Sequence, residues 1–199
     1  MNHYFTDNRQ LAQNRKEITF RFSCFKFSFI TDNGVFSKEY VDYGSMIFLE
    51  ALEKEKLGNN LLDVGCGYGT LGVVLKKMNP ASKVTMIDVN PRALELAAIN
   101  AEKNETEVDI RQSDIYEKVS EDNFTDIITN PPIRAGKAVI YKIFDEAYEH
   151  LAAGGHLYVV IRKQQGALSA KAKIEEIFGN CEVINKEKGY YILKSTKTD

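Results

Sequence analysis

Asp63-Val64-Gly65-Cys66-Gly67-Tyr68-Gly69 is the run of residues best suited to ligand chemistry. It follows a short apolar, strand-like segment and opens a helical one. Glycines at such a turn let the chain bend sharply and let a ligand approach the backbone without interference from Cβ atoms. The helix start beyond it offers unpaired N–H groups. Asp88, in Met86-Ile87-Asp88-Val89-Asn90, ends the next strand-like run. A carboxylate there is spaced to accept hydrogen bonds from the two hydroxyls of a ribose, with Val89 beside it. A glycine turn paired with an acidic strand end implies an adenine-nucleoside cofactor.

Two cofactor classes compete for this turn. Gly67-Tyr68-Gly69-Thr70-Leu71-Gly72 matches the dinucleotide pattern G-x-G-x-x-G, but that register makes Asp63 a buried carboxylate with no task. If the strand ends at Val64, Asp63 lies at the lip of the crevice beside Gly65, where it suits a cationic ligand and repels a pyrophosphate. S-adenosylmethionine, with sulfonium and ammonium groups, fits this electrostatic demand. Gly65, Gly67 and Gly69 are then expected among the cofactor-binding residues. Asp114 follows the third strand-like run, where it can accept from the adenine amine while Ile115 covers the ring.

Asn130-Pro131-Pro132-Ile133 ends the fourth strand-like run. Two successive prolines cannot continue a central strand, so the chain leaves the sheet there, at the edge where ligands bind in such folds. The residue before a proline is held extended. This stiff corner presents the Asn130 side-chain oxygen and a neighbouring carbonyl, that of Pro131, as two fixed acceptors. A conjugated exocyclic amine is a poor nucleophile. Acceptors for both its N–H groups aim the nitrogen and stabilise the positive charge that develops as a methyl group arrives. No tuned general base is needed, and His3, His150 and His156 are scattered.

These residues need a scaffold, and the remaining pattern supplies one. Strand-like runs at Leu61–Val64, Lys83–Asp88, Glu107–Arg111, Thr125–Thr129 and Leu157–Ile161 alternate with helical stretches at Gly69–Met78, Pro91–Asn104, Ala135–Ala153 and Gly166–Phe178. Gly154-Gly155 reads as the stop of the third of these helices. Cys181–Asn185 and Tyr190–Leu193 read as a closing hairpin. The order predicts an α/β fold with a mostly parallel sheet covered by helices on both faces. Upstream, Ile18–Cys24 and Phe25–Phe29 alternate apolar with polar residues, and the phase flips between them, as a bulge or turn requires. A helix is expected over Tyr43–Lys56. One domain over residues 1–199 is expected, with 1–40 a β extension and 41–199 the cofactor-binding and catalytic core.

Composition bounds the rest. The chain has 199 residues, 44% hydrophobic and 27% charged, with a formal net charge of −2, which fits one globular domain and excludes disorder. No apolar stretch is long enough to span a membrane. The polar start, MNHYFTDNRQ, lacks a secretory h-region. Three scattered cysteines make a disulfide framework or a metal site unexpected, and a reducing cytoplasm is the natural setting.

Taken together, Asp63-x-Gly65-x-Gly67-x-Gly69, Asp88, Asp114 and Asn130-Pro131-Pro132-Ile133 resemble the class I S-adenosylmethionine-dependent methyltransferases that act on planar amines. Gly34-Val35-Phe36-Ser37-Lys38 and Asp42-Tyr43-Gly44-Ser45 look like the small-subunit ribosomal RNA guanine-N2 methyltransferases. The resemblance covers residues 20–195. It implies a Rossmann-like, seven-stranded sheet of order 3-2-1-4-5-7-6 with the last strand antiparallel. By the same resemblance Asp63, Gly65 and Gly67 line the methionine end, Asp88 holds the ribose, Asp114 meets the adenine, and Asn130 with Pro131 holds the target amine. Phe36, Asp42 and Gly44 fall on a loop over the cofactor. The position after the prolines is often aromatic in this family and stacks on the base. Here it is Ile133, so stacking would come from elsewhere, with Phe36 the candidate.

The expected substrate is RNA, ribosomal RNA or the small ribosomal subunit, methylated at guanine N2. Arg134 and Lys137 after the proline corner, and Arg162-Lys163 after the fifth strand, would meet its phosphates. Arg9, Arg15, Lys16, Arg21 and Lys26 could add to that basic face. The phenylalanines at 20, 22, 25, 27 and 29 read mainly as core of the β extension. Alternatives are adenine-N6 or glutamine-N5 methylation, a catalytically silent cofactor- or RNA-binding module, and a nicotinamide oxidoreductase.

Overall fold

Adjacent residues of a strand point to opposite faces, so an apolar run buries both faces only if each is covered. The computed structural model, which describes residues 14–198 other than 36 and 38, shows this arrangement. Strands β3 (Asn60–Val64), β4 (Lys83–Asp88), β5 (Asp109–Gln112), β6 (Phe124–Thr129), β7 (Leu151–Arg162), β8 (Glu182–Glu187) and β9 (Tyr190–Thr196) form one sheet of order β5-β4-β3-β6-β7-β9-β8. The first five are parallel, and β9 runs antiparallel to both its neighbours. Counted within the sheet, this is the predicted order 3-2-1-4-5-7-6.

Leu61 and Ile128 face one apolar layer, Leu62 and Ile127 the other. Helices α1 (Tyr43–Leu52), α2 (Thr70–Met78) and α3 (Pro91–Lys103) pack in the first layer through Phe48, Val73 and Ala97. Helices α4 (Lys137–His150) and α5 (Ala167–Phe178) pack in the second through Phe144 and Ile174. No helix among the described residues is long and apolar enough to cross a membrane.

One boundary differs from the sequence reading. α4 ends at His150, not at Ala153, and Leu151 already pairs with Phe124. The register then shifts before His156 meets Asp126, so Gly154-Gly155 lies within an irregular strand, not at a helix stop. A Cβ on Gly155 would lie 2.9 Å from the Phe124 and Ala152 carbonyl oxygens, so close backbone approach explains that glycine.

The β extension is a hairpin of β1 (Lys16–Phe22) and β2 (Phe25–Thr31). The phase flip is a two-residue turn at Ser23-Cys24, since Phe22 pairs with Phe25 and Ser23 has φ +50°. Phe22, Phe27 and Phe29 are buried in the first apolar layer, as the core reading expected. Among the described residues, the outer edge of β2 meets no third strand. Two carboxamides, on α3 and at its C-cap, take its place: Asn100 Oδ1 accepts from Ile30 N (2.6 Å) and Asn100 Nδ2 donates to Ile30 O (3.0 Å). Asn104, one turn on, makes the same pair with Ser28, at 3.1 and 2.8 Å. The buried Asp32–Arg92 ion pair (2.7 Å) pins the end of the hairpin to the start of α3.

Candidate active site

The glycine turn leaves β3 at Val64 and folds over the end of β4, where Gly65 N and Cys66 N both donate to Ile87 O, at 2.9 and 3.0 Å. Gly65, Gly67 and Gly69 all have positive φ, at +74°, +56° and +94°, which L side chains adopt only with strain. A Cβ on Gly65 or Gly67 would meet nothing within 4 Å, so these two glycines border open space. That space is a cavity of about 760 Å³ at the carboxyl ends of β3, β4 and β6. Of the predicted site residues, Asp63, Gly65, Gly67, Asp88, Val89, Asp114, Ile115, Asn130, Pro131, Pro132, Ile133 and Arg134 line it, and Gly44, Gly69, Lys137 and Lys163 do not. Gly69 instead caps α2, close against Ala97. Phe36 lies outside the described residues.

Asp63 departs from its expected place at the lip. It is buried, 1% exposed, with Oδ2 accepting from Gly72 N at 3.0 Å and Oδ1 left without a hydrogen-bond partner. Burial pushes its carboxyl up to about 7, with the Asp88 charge adding to the effect. Asp88 is half-buried, and its two oxygens accept from Gly67 N and Asn90 N, each at 2.8 Å. Burial raises this carboxyl also, although those backbone donors oppose the rise. Each Asp88 oxygen keeps a lone pair for a further donor.

Asp114 is exposed at the cavity wall. Ile115 beside it has φ +52°, a strained conformation for a β-branched residue. Ser113 holds that loop, its hydroxyl donating to Ile115 O (2.8 Å) and accepting from Lys118 N (3.0 Å).

At the proline corner Pro131 is buried and Asn130 half-buried. A short 3-10 turn over Ile133–Ala135 then carries Arg134 outward. The Asn130 amide Nδ2 donates to Ser45 Oγ at 3.2 Å, and the Ser45 hydroxyl donates to Asp42 Oδ2. Ser45 lies 85 residues from Asn130, too far along the chain for their contact to show in the sequence. Asp42 does cap α1, accepting from Ser45 N at 3.2 Å.

Around the mouth, Arg162 stacks on Tyr190, its guanidinium 4.5 Å from the ring centroid, and Tyr190 lies 6.0 Å from Tyr43. Tyr43 and Tyr190 both line the cavity and give its wall an aromatic surface, which the spacing of the motifs did not reveal. None of Arg15, Lys16, Arg21 and Lys26 lines the cavity. Arg15 pairs with Glu95 and Lys16 with Glu39, and Lys103 of α3 pairs with Glu17. Arg9 lies outside the described residues.

Asp42, Asp63, Asp88 and Asp114 line the cavity together with Arg134 and Arg162. Asp63 and Asp88, which flank the glycine turn, suit a cationic cofactor and oppose a pyrophosphate. The orphaned Asp63 oxygen and the open space over Gly65 and Gly67 fit the charged methionine end of S-adenosylmethionine.

A Rossmann-like sheet with a glycine crevice at its carboxyl edge and a proline-braced asparagine beside it defines a class I methyltransferase. The chain belongs to the Methyltransferase small domain family, which matches residues 26–194, and S-adenosylmethionine is the cofactor. It is 46% identical over 197 residues to the uncharacterized protein YbxB of Bacillus subtilis, covering 98% of each chain. It is 34% identical over 168 residues to the ribosomal RNA small subunit methyltransferase C of Photorhabdus laumondii, covering 82% of this chain and 48% of that one. Among solved structures it is similar to the T. thermophilus 16S rRNA N2 G1207 methyltransferase (RsmC) in complex with AdoMet and guanosine. That similarity has a TM-score of 0.83 and 27% identity, over 92% of this chain and 50% of the other. The chain thus spans about half the length of the ribosomal RNA methyltransferases it matches.

Proposed function

We propose that the chain methylates an exocyclic amine of RNA, at guanine N2 in small-subunit ribosomal RNA. The observation that carries this reading is that Asn130 and Pro131 line the same cavity as the glycine turn and Asp88. When bound, S-adenosylmethionine supplies an electrophilic methyl group on a sulfonium. Asp63 Oδ1, Gly65 and Gly67 would hold the methionine end, Asp88 the ribose hydroxyls, and Asp114 with Val89 and Ile115 the adenine. The Asn130 side-chain oxygen and the Pro131 carbonyl accept the two N–H hydrogens of the target amine and hold its lone pair on line. Pro132 stiffens this corner, and Ile133 gives the base an apolar contact. As charge develops on the amine nitrogen, the two fixed oxygen dipoles stabilise it without reorganisation.

The rim suits a polyanion. Arg134 and Arg162 are exposed, and among the described residues neither makes an ion pair, so both are free for phosphates. Stacked Arg162 and Tyr190 also offer a platform for a base. The names of similar proteins, which specify small-subunit ribosomal RNA and, for the solved structure, N2 of a guanine, support the choice of target. A ribosomal substrate would place the protein in the cytoplasm.

The test is incorporation of labelled methyl from S-adenosylmethionine into a small-subunit ribosomal RNA transcript and into assembled subunits, followed by nucleoside analysis. N2-methylguanosine is the expected product. N6-methyladenosine would move the target to adenine, and cofactor binding without transfer to either RNA would mark a silent module.

A further inference from the structure

We propose that Ser45 and Asp42 are positioning residues that set which end of the Asn130 carboxamide faces the substrate amine. This rests on the amine-methylation reading and deepens it. The two ends of a carboxamide are nearly equal in shape and opposite in hydrogen-bonding sense. Only the oxygen can accept from a target NH₂; the nitrogen turned inward would set donor against donor. The proline corner fixes the backbone of Asn130 but leaves this half-turn of the side chain open.

The polarity of a three-residue chain decides it. An ionised carboxylate only accepts, so the Ser45 hydroxyl hydrogen is committed to Asp42 Oδ2. Ser45 Oγ is then an acceptor towards Asn130 and must receive Nδ2–H, at 3.2 Å. Oδ1, on the other arm of the amide, is left for the cavity. The relay is well anchored. Ser45 is 5% exposed, so water does not readily replace it, and Asp42 Oδ1 is held by Ser45 N at 3.2 Å. Ser45 lies in the first turn of α1, whose Ile47, Phe48 and Leu49 are buried in the core. Directly over it, a Cβ on Gly44 would lie 2.6 Å from Tyr190 Cε1, so the ring roofs this turn. The amide is thus referenced to a buried helix and not to the loop that bears it.

A helix cap alone makes a different prediction, and Asp42→Asn separates the two. Asparagine caps a helix as well as aspartate, so a purely structural role predicts no loss. But the carboxamide introduced by Asp42→Asn can donate to Ser45 Oγ, which frees the hydroxyl hydrogen to turn towards Asn130 and draws its oxygen out of the cavity. With the ribosomal RNA transcript as substrate, Asp42→Asn and Ser45→Ala should each lower kcat about tenfold, the worth of one hydrogen bond. Tm should hold for Asp42→Asn. Ser45→Thr, which keeps the hydroxyl, should recover most of the rate lost in Ser45→Ala. In an Asn130→Ala background the Asp42→Asn loss should vanish, because no amide remains to orient.

A second arm needs no turnover. In ¹⁵N spectra of the free protein, one Asn130 side-chain amide proton should be slow to exchange, and Ser45→Ala should abolish that protection. Full kcat in Asp42→Asn, an undiminished loss in the Asn130→Ala background, or unprotected Asn130 protons in wild type would each overturn the relay. Wild-type protein that binds S-adenosylmethionine yet methylates no RNA would overturn the RNA reading instead, and the spectral arm would still decide the relay.

Discussion

Asp63 keeps one oxygen bonded and one bare inside the protein, and its titration follows from that. Its folded carboxyl titrates at about 7 against an ordinary 3.8. Between those values the folded chain keeps a proton that the unfolded chain has lost, so stability declines as pH rises through that window. Thermal melts from about pH 4 to 7 should show the decline in wild type and a flatter profile in Asp63→Asn. A cation beside Asp63 favours its charged form, so cofactor affinity should rise with pH up to about 7 and then level, with a weaker dependence in the variant. Calorimetry at about pH 5.5 and 7.5 (working points bracketing that value) checks both. Asn130→Ala should leave that affinity nearly intact and cut kcat by about 10²-fold, which single-turnover assays would read. At this scale the sequence was a good guide to which residues matter and a poorer one to their surroundings. Asp63, Asp88 and Asn130 were legible because their motifs interrupt apolar strands. The burial of Asp63 was not, because it depends on Gly72 of α2 packing back over the strand end.

Elements show the same division between local signal and tertiary contact. The strand order could be read because apolar runs alternate with helical periods and end in a hairpin without a helix. The end of α4 could not, since Gly154-Gly155 mimics a helix stop and only pairing with Phe124 reveals that Leu151 is already in the sheet. Nor could the seam between α3 and β2 be seen. Two asparagines spaced one helical turn apart look like surface residues until a strand edge is laid beside them. Asn100→Ala would leave Ile30 N–H and two carbonyls without their partner. Unsatisfied buried groups cost about 1–3 kcal/mol each, so urea unfolding should show a loss in at least that range, with an unchanged m-value if the hairpin stays docked. A conservative surface substitution would be nearly neutral by comparison.

Across the whole molecule, a formal net charge of −2 conceals a cavity lined by four aspartates and two exposed arginines. Average charge is silent on these arginines, which come together because the ends of β6 and β7 lie side by side in the sheet. Arg134→Ala and Arg162→Ala should each weaken RNA binding and reduce the slope of log affinity against log salt by about 0.7–0.9 if each meets one phosphate. Filter binding across a salt series would measure it, and an unchanged slope would remove that arginine from the interface. The Asn100 carboxamide belongs to two places at once: Nδ2 donates both to Ile30 O and, at 2.8 Å, to Tyr68 O within the glycine turn. Stiffening the turn therefore stiffens the hairpin's attachment. Deuterium uptake at the Ile30 amide should slow when S-adenosylmethionine fills the crevice, which makes a strand remote from the chemistry a passive gauge of whether the enzyme is loaded.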